Sequence, residues 1–154
     1  MIRRAKYNDI NGINKLLRQV LDVHQKGRPD IFKNGAKKYT DEELCKIIHD
    51  NSKPIFIYDD NGKIEGYCFC VFQQHLNNNI LTDVKTLYID DLCVDEKARG
   101  RHIGTKLFEY VKKYAEEQEC YNITLNVWSA NDNAIKFYQK LGFNPQKIGM
   151  EFIL

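Results

Sequence analysis

This chain of 154 residues has no long apolar run, no strong excess of either charge and few residues that interrupt regular structure. A membrane-spanning helix, which needs about 20 consecutive apolar residues, is therefore not expected, and the opening Met1-Ile2-Arg3-Arg4-Ala5-Lys6-Tyr7 lacks the uncharged stretch of an export signal. A net charge of +2 is too small to point to nucleic acid. With three prolines and nine glycines there is no Pro/Ser/Gly-rich linker, so residues 1–154 are read as a single domain. The five cysteines (Cys45, Cys68, Cys70, Cys93, Cys120) are odd in number and scattered, which predicts free thiols in a reducing, cytoplasmic compartment. Cys68 and Cys70 have no second pair at zinc spacing and the four histidines stand singly, so no metal is expected. What remains is 43% hydrophobic and 29% charged, the composition of a soluble globular protein.

Periodicity supplies the elements. Ile2 to Lys6 reads as a short strand, and Asn8 opens a helix with Ile10, Ile13, Leu16, Leu17, Val20 and Leu21 at helical spacing. Thr40-Asp41-Glu42-Glu43 is a capping box for a second helix containing Leu44, Ile47 and Ile48. Ile55 to Tyr58 and Lys63 to Phe72 flank Asn61-Gly62 as a hairpin, and a fourth strand lies around Thr82 to Val94. Ile103, Leu107, Val111 and Tyr114 mark a third helix, Ile123 to Trp128 a further strand, and Asn131 caps a helix striped by Ala134, Phe137, Tyr138 and Leu141. A last pair of strands is expected around Phe143 and Met150 to Leu154. The order is β-α-α-β-β-β-α-β-α-β, an α/β (α+β) chain.

The fourth strand changes parity. Leu87 and Ile89 are apolar at odd positions, Leu92 and Val94 at even ones, which an extra residue at Asp90-Asp91 would produce. A strand buried on both faces gives the same pattern without a bulge.

Directly after it, Arg99-Gly100-Arg101-His102-Ile103-Gly104-Thr105-Lys106 runs through a basic, glycine-punctuated turn into the third helix. Backbone amides at such a helix start point unpaired N–H groups at a bound anion, with Arg99, Arg101 and Lys106 adding positive charge. The glycine spacing fits neither the dinucleotide fingerprint nor the P-loop. It resembles instead the [QR]-x-x-G-x-[GA] pyrophosphate motif of the GNAT superfamily of N-acetyltransferases, with His102 where that family usually has glycine. Asn131-Asp132-Asn133-Ala134-Ile135-Lys136-Phe137-Tyr138-Gln139-Lys140-Leu141-Gly142-Phe143 resembles the family's N-x-x-A-x-x-[FL]-Y-x-[KR]-x-G-F segment. The resemblance covers roughly the C-terminal half of the chain and implies the GNAT fold, a central mixed, mostly antiparallel six- or seven-stranded sheet flanked by helices.

It also implies a function: acetyl-CoA-dependent transfer of an acetyl group to a primary amine by direct, ternary-complex transfer, with no metal. The cofactor is expected along Leu92, Cys93 and Val94, on Arg99, Gly100, Arg101, His102, Ile103, Gly104 and Thr105, and at Asn131, which also serves as a cap. By the same resemblance Tyr138 is the acid that protonates the departing thiolate. Asp90 and Asp91 are the carboxylates nearest the bulge; one strand position apart, they face opposite ways, and Asp91 is the favoured base or amine-binding group. Cys93 has no neighbouring histidine to activate it as a nucleophile. The acceptor, a small-molecule or peptide amine, is left open, as is a homodimer. The competing reading is a GNAT-fold module that binds CoA or acyl-CoA without turnover, as a sensor or docking domain.

Overall fold

In a computed structural model describing residues 1–154, the chain forms five strands and four α-helices: β1 (Ile2–Arg4), α1 (Ile10–Gly27), α2 (Asp41–His49), β2 (Ile55–Asp60), β3 (Lys63–Gln74), β4 (Lys85–Val94), α3 (Ile103–Glu117), β5 (Asn122–Leu125) and α4 (Asp132–Lys140). The sheet runs β1-β2-β3-β4-β5, antiparallel from β1 to β4 and parallel between β4 and β5. The Thr40 capping box is formed in full: its hydroxyl accepts from Glu43 N–H and Glu43 answers at the Thr40 amide. A 3-10 turn, Tyr7–Asp9, precedes α1, which therefore starts at Ile10, two residues after the expected cap.

Strand alternation divides the core between the two faces of the sheet. Tyr67 and Phe69 of β3 join Ile13, Leu16 and Leu44 beneath α1 and α2. Cys68 and Cys70, one position out of phase, join Phe108 and Val111 beneath α3. A side chain such as Ile13 or Leu16, fully buried here, contributes roughly 1.5–3 kcal/mol by leaving water. The helix α1 lies so close to the sheet that a Cβ on Gly12 would come within 2.6 Å of Ile64 Cγ1. All five cysteines are free.

Two sequence expectations about the sheet have different outcomes. The bulge is present: Phe69 opposes Asp91 and Cys70 opposes Ile89, so Asp90 is the extra residue, and the parity of β4 changes across it. The sixth and seventh strands are not formed. Residues 144–154 make no backbone hydrogen bond within the chain and pair with no strand. Alternating apolar residues are necessary for an edge strand, but a strand also needs a ladder partner, and β5 pairs only with β4. The class of fold is unaffected by the shorter sheet.

Candidate active site

The flanks of β4 differ. Toward β3 it is paired continuously apart from the bulge, from Lys85 to Val94; toward β5 pairing covers only Thr86 to Ile89. Beyond Ile89 the two parallel strands diverge, opening the sheet from Asp90 onward. The Asp95 amide donates to Glu65 O at 2.9 Å, toward β3, so by alternation the amides of Leu92 and Val94 point into the opening. Cys93 is buried, its thiol directed to Leu16 O at 3.8 Å. Burial, with the Asp91 charge, pushes this thiol up to about 12, so it is no thiolate nucleophile near neutrality.

At the end of β4 the chain turns through Gly100 (φ 83°) and His102 (φ 58°, ψ 24°). His102 thus adopts the left-handed conformation that glycine would take more easily, one of the few side chains that tolerates it. The first bond of α3 runs from Lys106 N–H to His102 O at 3.0 Å, leaving the amides of Ile103, Gly104 and Thr105 without an acceptor in the chain. These donors, at the positive end of a 15-residue helix, make a fit for a diphosphate. The Ile103 side chain is buried, so only its backbone faces outward there. Gly104 allows close packing: a Cβ would meet the Phe137 ring at 3.0 Å.

The basic residues of the turn divide. Arg101 is held by Glu65 and by Asp60, the latter at 3.0 Å, so its charge is largely spent within the chain. Lys106 lies over the Tyr58 ring at 5.9 Å. Arg99 is exposed and has no ion-pair partner. The positive character at the turn therefore rests on Arg99 and the amides more than on Arg101.

Although 47 positions separate them in the sequence, Tyr138 is close enough to Asp91 to feel its charge. The Tyr67 hydroxyl donates to Asp91 Oδ2 at 2.7 Å. Burial raises the Asp91 carboxyl above its ordinary value, against the pull of Lys38 and the Tyr67 hydrogen bond. Burial also raises the Tyr138 phenol, with further contributions from Cys68, Asp91 and Cys93, so it is protonated at neutral pH. Its ring packs edge-on against Phe137 and Phe143. Asp90, turned out by the bulge, binds Lys38 Nζ at 3.0 Å. Asn131 caps α4, its Oδ1 accepting from Ala134 N–H at 3.2 Å.

The remaining wall draws partly on Gln25 to Tyr39, the stretch where the family resemblance also implies an acceptor cleft, with Arg28 and Lys38 among its residues. A cavity of about 230 Å³ brings Asp90 and Asp91 together with Lys38, His24, Phe32 and Trp128. His24 stacks on Phe32 at 5.1 Å, and Phe32 meets Trp128 edge-on at 5.5 Å. Burial lowers the His24 pKa, so the ring is neutral near pH 7 despite the nearby Asp91 charge. A second space of about 390 Å³ shares His24 and Trp128 and reaches Asn131 and Arg28. Periodicity singles out neither His24 nor Trp128, because α1 and the segment after β5 meet only in the folded chain.

The sequence model of the Acetyltransferase (GNAT) family matches residues 17–143, and the chain belongs to that family. It is similar over its whole length to a mutant of the BH1408 protein from Bacillus halodurans, with 32% identity, a TM-score of 0.95 and 99% of that chain covered. It is 24% identical to the thialysine N-epsilon-acetyltransferase of Bos taurus across 92% of this chain and 82% of that protein. An uncharacterized N-acetyltransferase of Methanocaldococcus jannaschii is 30% identical over 60% of this chain, and the match spans 40% of that protein's length. No helix is long and apolar enough to cross a membrane.

Proposed function

We propose that residues 1–154 act as one acetyl-CoA-dependent N-acetyltransferase domain that passes the acetyl group directly to a primary amine. The observation that carries this reading is the divergence of β4 and β5 after Ile89, which turns the amides of Leu92 and Val94 into an opening next to Asp91, together with the uncommitted amides at the start of α3. When bound, acetyl-CoA supplies an activated acetyl thioester. The amides of Ile103, Gly104 and Thr105, with Arg99, hold the diphosphate, while the outward N–H groups of Leu92 and Val94 stabilise negative charge developing on the acetyl oxygen. Asn131, beyond its capping bond, has an amide NH₂ free to reach the pantetheine arm.

An alkyl amine, with a pKa near ~10, arrives as the ammonium ion. Asp91, its carboxyl raised by burial against the opposing pull of Lys38, binds that cation and takes its proton. The neutral His24 on the opposite wall is available to carry the proton toward solvent. Tyr138 gives its phenolic proton to the departing thiolate, and its raised pKa keeps that proton in place until it is needed. Holding both substrates in one cleft supplies much of the rate, so no covalent enzyme intermediate is required. The bovine relative's name places its acetyl group on an ε-nitrogen, which agrees with a primary alkyl amine as acceptor.

The test combines calorimetry with CoA and acetyl-CoA and an assay of free thiol released from acetyl-CoA against a panel of polyamines, amino acids, aminoglycosides and peptides. Binding together with amine-stimulated release is the expected result. Tight binding without release at any pH up to the amine pKa would identify a binding module. No association with the nucleotide would remove the proposal altogether.

A further inference from the structure

The cavity beside Asp91 has an uneven lining. Leu17, Val20, Leu21, Phe32 and Trp128 give it hydrocarbon and aromatic walls, while its charged groups are gathered together: Asp90 and Asp91 are successive, and Lys38 Nζ binds Asp90 Oδ2 at 3.0 Å. His24, the one other titratable side chain on the wall, is kept neutral by burial. With both carboxylates ionised the lining sums to a single negative charge. One cation balances it, and a second would stand among apolar side chains without a counterion.

The walls also restrict what carries that cation. Arg28 lies over the Trp128 ring at 5.9 Å, but it is engaged by both Asp30 and Glu151, so it has no free charge for an acceptor's carboxylate. A body rich in hydroxyls would exchange its water bonds for contact with leucine, valine and aromatic rings. An aromatic ring fits better. Phe32 is stacked on His24 and meets Trp128 edge-on, and Trp128 is still 40% exposed, leaving one side of this aromatic corner bare. The volume of about 230 Å³ falls below the roughly 300–1,000 Å³ of pockets that enclose drug-sized molecules, which suits a single ring on a short chain.

We propose that this pocket selects a primary monoamine on a compact, uncharged arylalkyl body, and that Lys38 sets the preference by occupying Asp90. The inference rests on the N-acetyltransferase reading of the site and leaves its chemistry unchanged. The amide bond forms at the amine nitrogen as the thioester C–S bond breaks, with the amine's proton passing to Asp91 and the phenolic proton of Tyr138 to the thiolate.

Thiol release from acetyl-CoA is measured with phenethylamine, propylamine, diaminopropane, spermidine and a lysine-containing peptide, and each amine is also titrated calorimetrically into protein saturated with CoA. Phenethylamine is expected to give the highest kcat/KM, and propylamine to exceed diaminopropane, which differs from it by one ammonium group, by roughly tenfold. Lys38→Met keeps the stem and frees Asp90 for the second ammonium, so the ratio of the two short amines moves toward the diamine by roughly tenfold; any change in the basicity of Asp91 acts on both and cancels. Trp128→Ala lowers kcat/KM for phenethylamine roughly tenfold more than for propylamine. Circular dichroism and calorimetric binding of CoA verify that both variants are folded.

The proposal is overturned if the unmodified protein prefers diaminopropane, the lysine peptide, or spermidine, which is long enough to enter the adjoining space lined by Asp132. It is equally overturned by a ratio that Lys38→Met leaves in place, by a phenethylamine preference that survives Trp128→Ala, or by a CoA-loaded protein that binds none of the amines. Release from no amine, with the expected order of affinities in calorimetry, would end the transferase reading and keep the selectivity of the pocket; release in a different order would do the reverse.

Discussion

The two flanks of β4 follow opposite rules. On the β3 side nine residues of each strand face one another, the bulge being accommodated, and the side chains form a continuous core with β2, α1 and α2. On the β5 side four pairs form and the strands then part, while the helix that follows β5, α4, has no fully buried residue. The paired flank gives the chain its stability; the open flank exposes main-chain donors and two ionisable side chains to a cleft. The backbone hydrogen bonds missing on one side of the strand are the ones a ligand can make instead.

That contrast can be broken from either side. The largest expected effect is on the open flank: Tyr138→Phe lowers turnover roughly 10³-fold, about 4 kcal/mol in the barrier, with CoA affinity and melting temperature little changed. A fall in CoA affinity of the same size would mean that the phenol binds rather than donates. On the paired flank Ile13→Ala leaves a cavity in a completely buried position and costs about 3 kcal/mol in denaturant unfolding, while turnover of the folded fraction is retained. Asp91→Asn keeps an acceptor for the Tyr67 hydroxyl but loses the base, so turnover drops roughly 10- to 10²-fold. Because the Asp91 pKa is raised, wild-type kcat rises as pH increases through a value above the usual carboxylate range, and this limb is absent from the variant's pH profile. Thr40→Ala removes one half of the α2 capping box and costs about 1 kcal/mol in thermal unfolding, with no change in kcat/KM.

A pH titration of stability isolates the paired flank from catalysis. Arg3 binds Asp9 through two hydrogen bonds of 2.8 and 2.9 Å, and the Lys6 amide adds a third at 2.7 Å. Although burial opposes it, these contacts hold the Asp9 carboxyl below its usual value. Their stabilisation is complete above the unfolded pKa of about 4 and is lost as pH falls through the lower folded value. Asp9→Asn flattens that part of the acid limb of stability and leaves the activity profile above it in place.

How much of this was legible beforehand varies with the distance over which each feature is determined. The capping box at Thr40 and the Asn-Gly hairpin depend on a few consecutive residues and are formed as read. The bulge at Asp90 left a trace in Leu87, Ile89, Leu92 and Val94, whose apolar parity reverses, but that pattern alone also fits a strand buried on both faces, and the pairing of β3 with β4 decides for the bulge. The capture of Arg101 by Asp60 and Glu65 was not visible, since a basic residue in a motif gives no sign of a carboxylate 36 positions earlier. Nor were the contributions of His24 and Trp128, which belong to no motif and are brought together by the folding of α1 beside the segment after β5. The final strands failed for another reason: their pattern is genuine, but a pattern supplies no partner.

The contact between Gly104 and Phe137 has a mechanical consequence. Phe137 and Tyr138 are adjacent on α4, and the ring of the first rests on the opening turn of α3. The helix end with bare amides is therefore braced against the same turn of α4 that carries Tyr138. A side chain on Gly104 would press on the Phe137 ring and shift α4, and Tyr138 with it, relative to the start of α3.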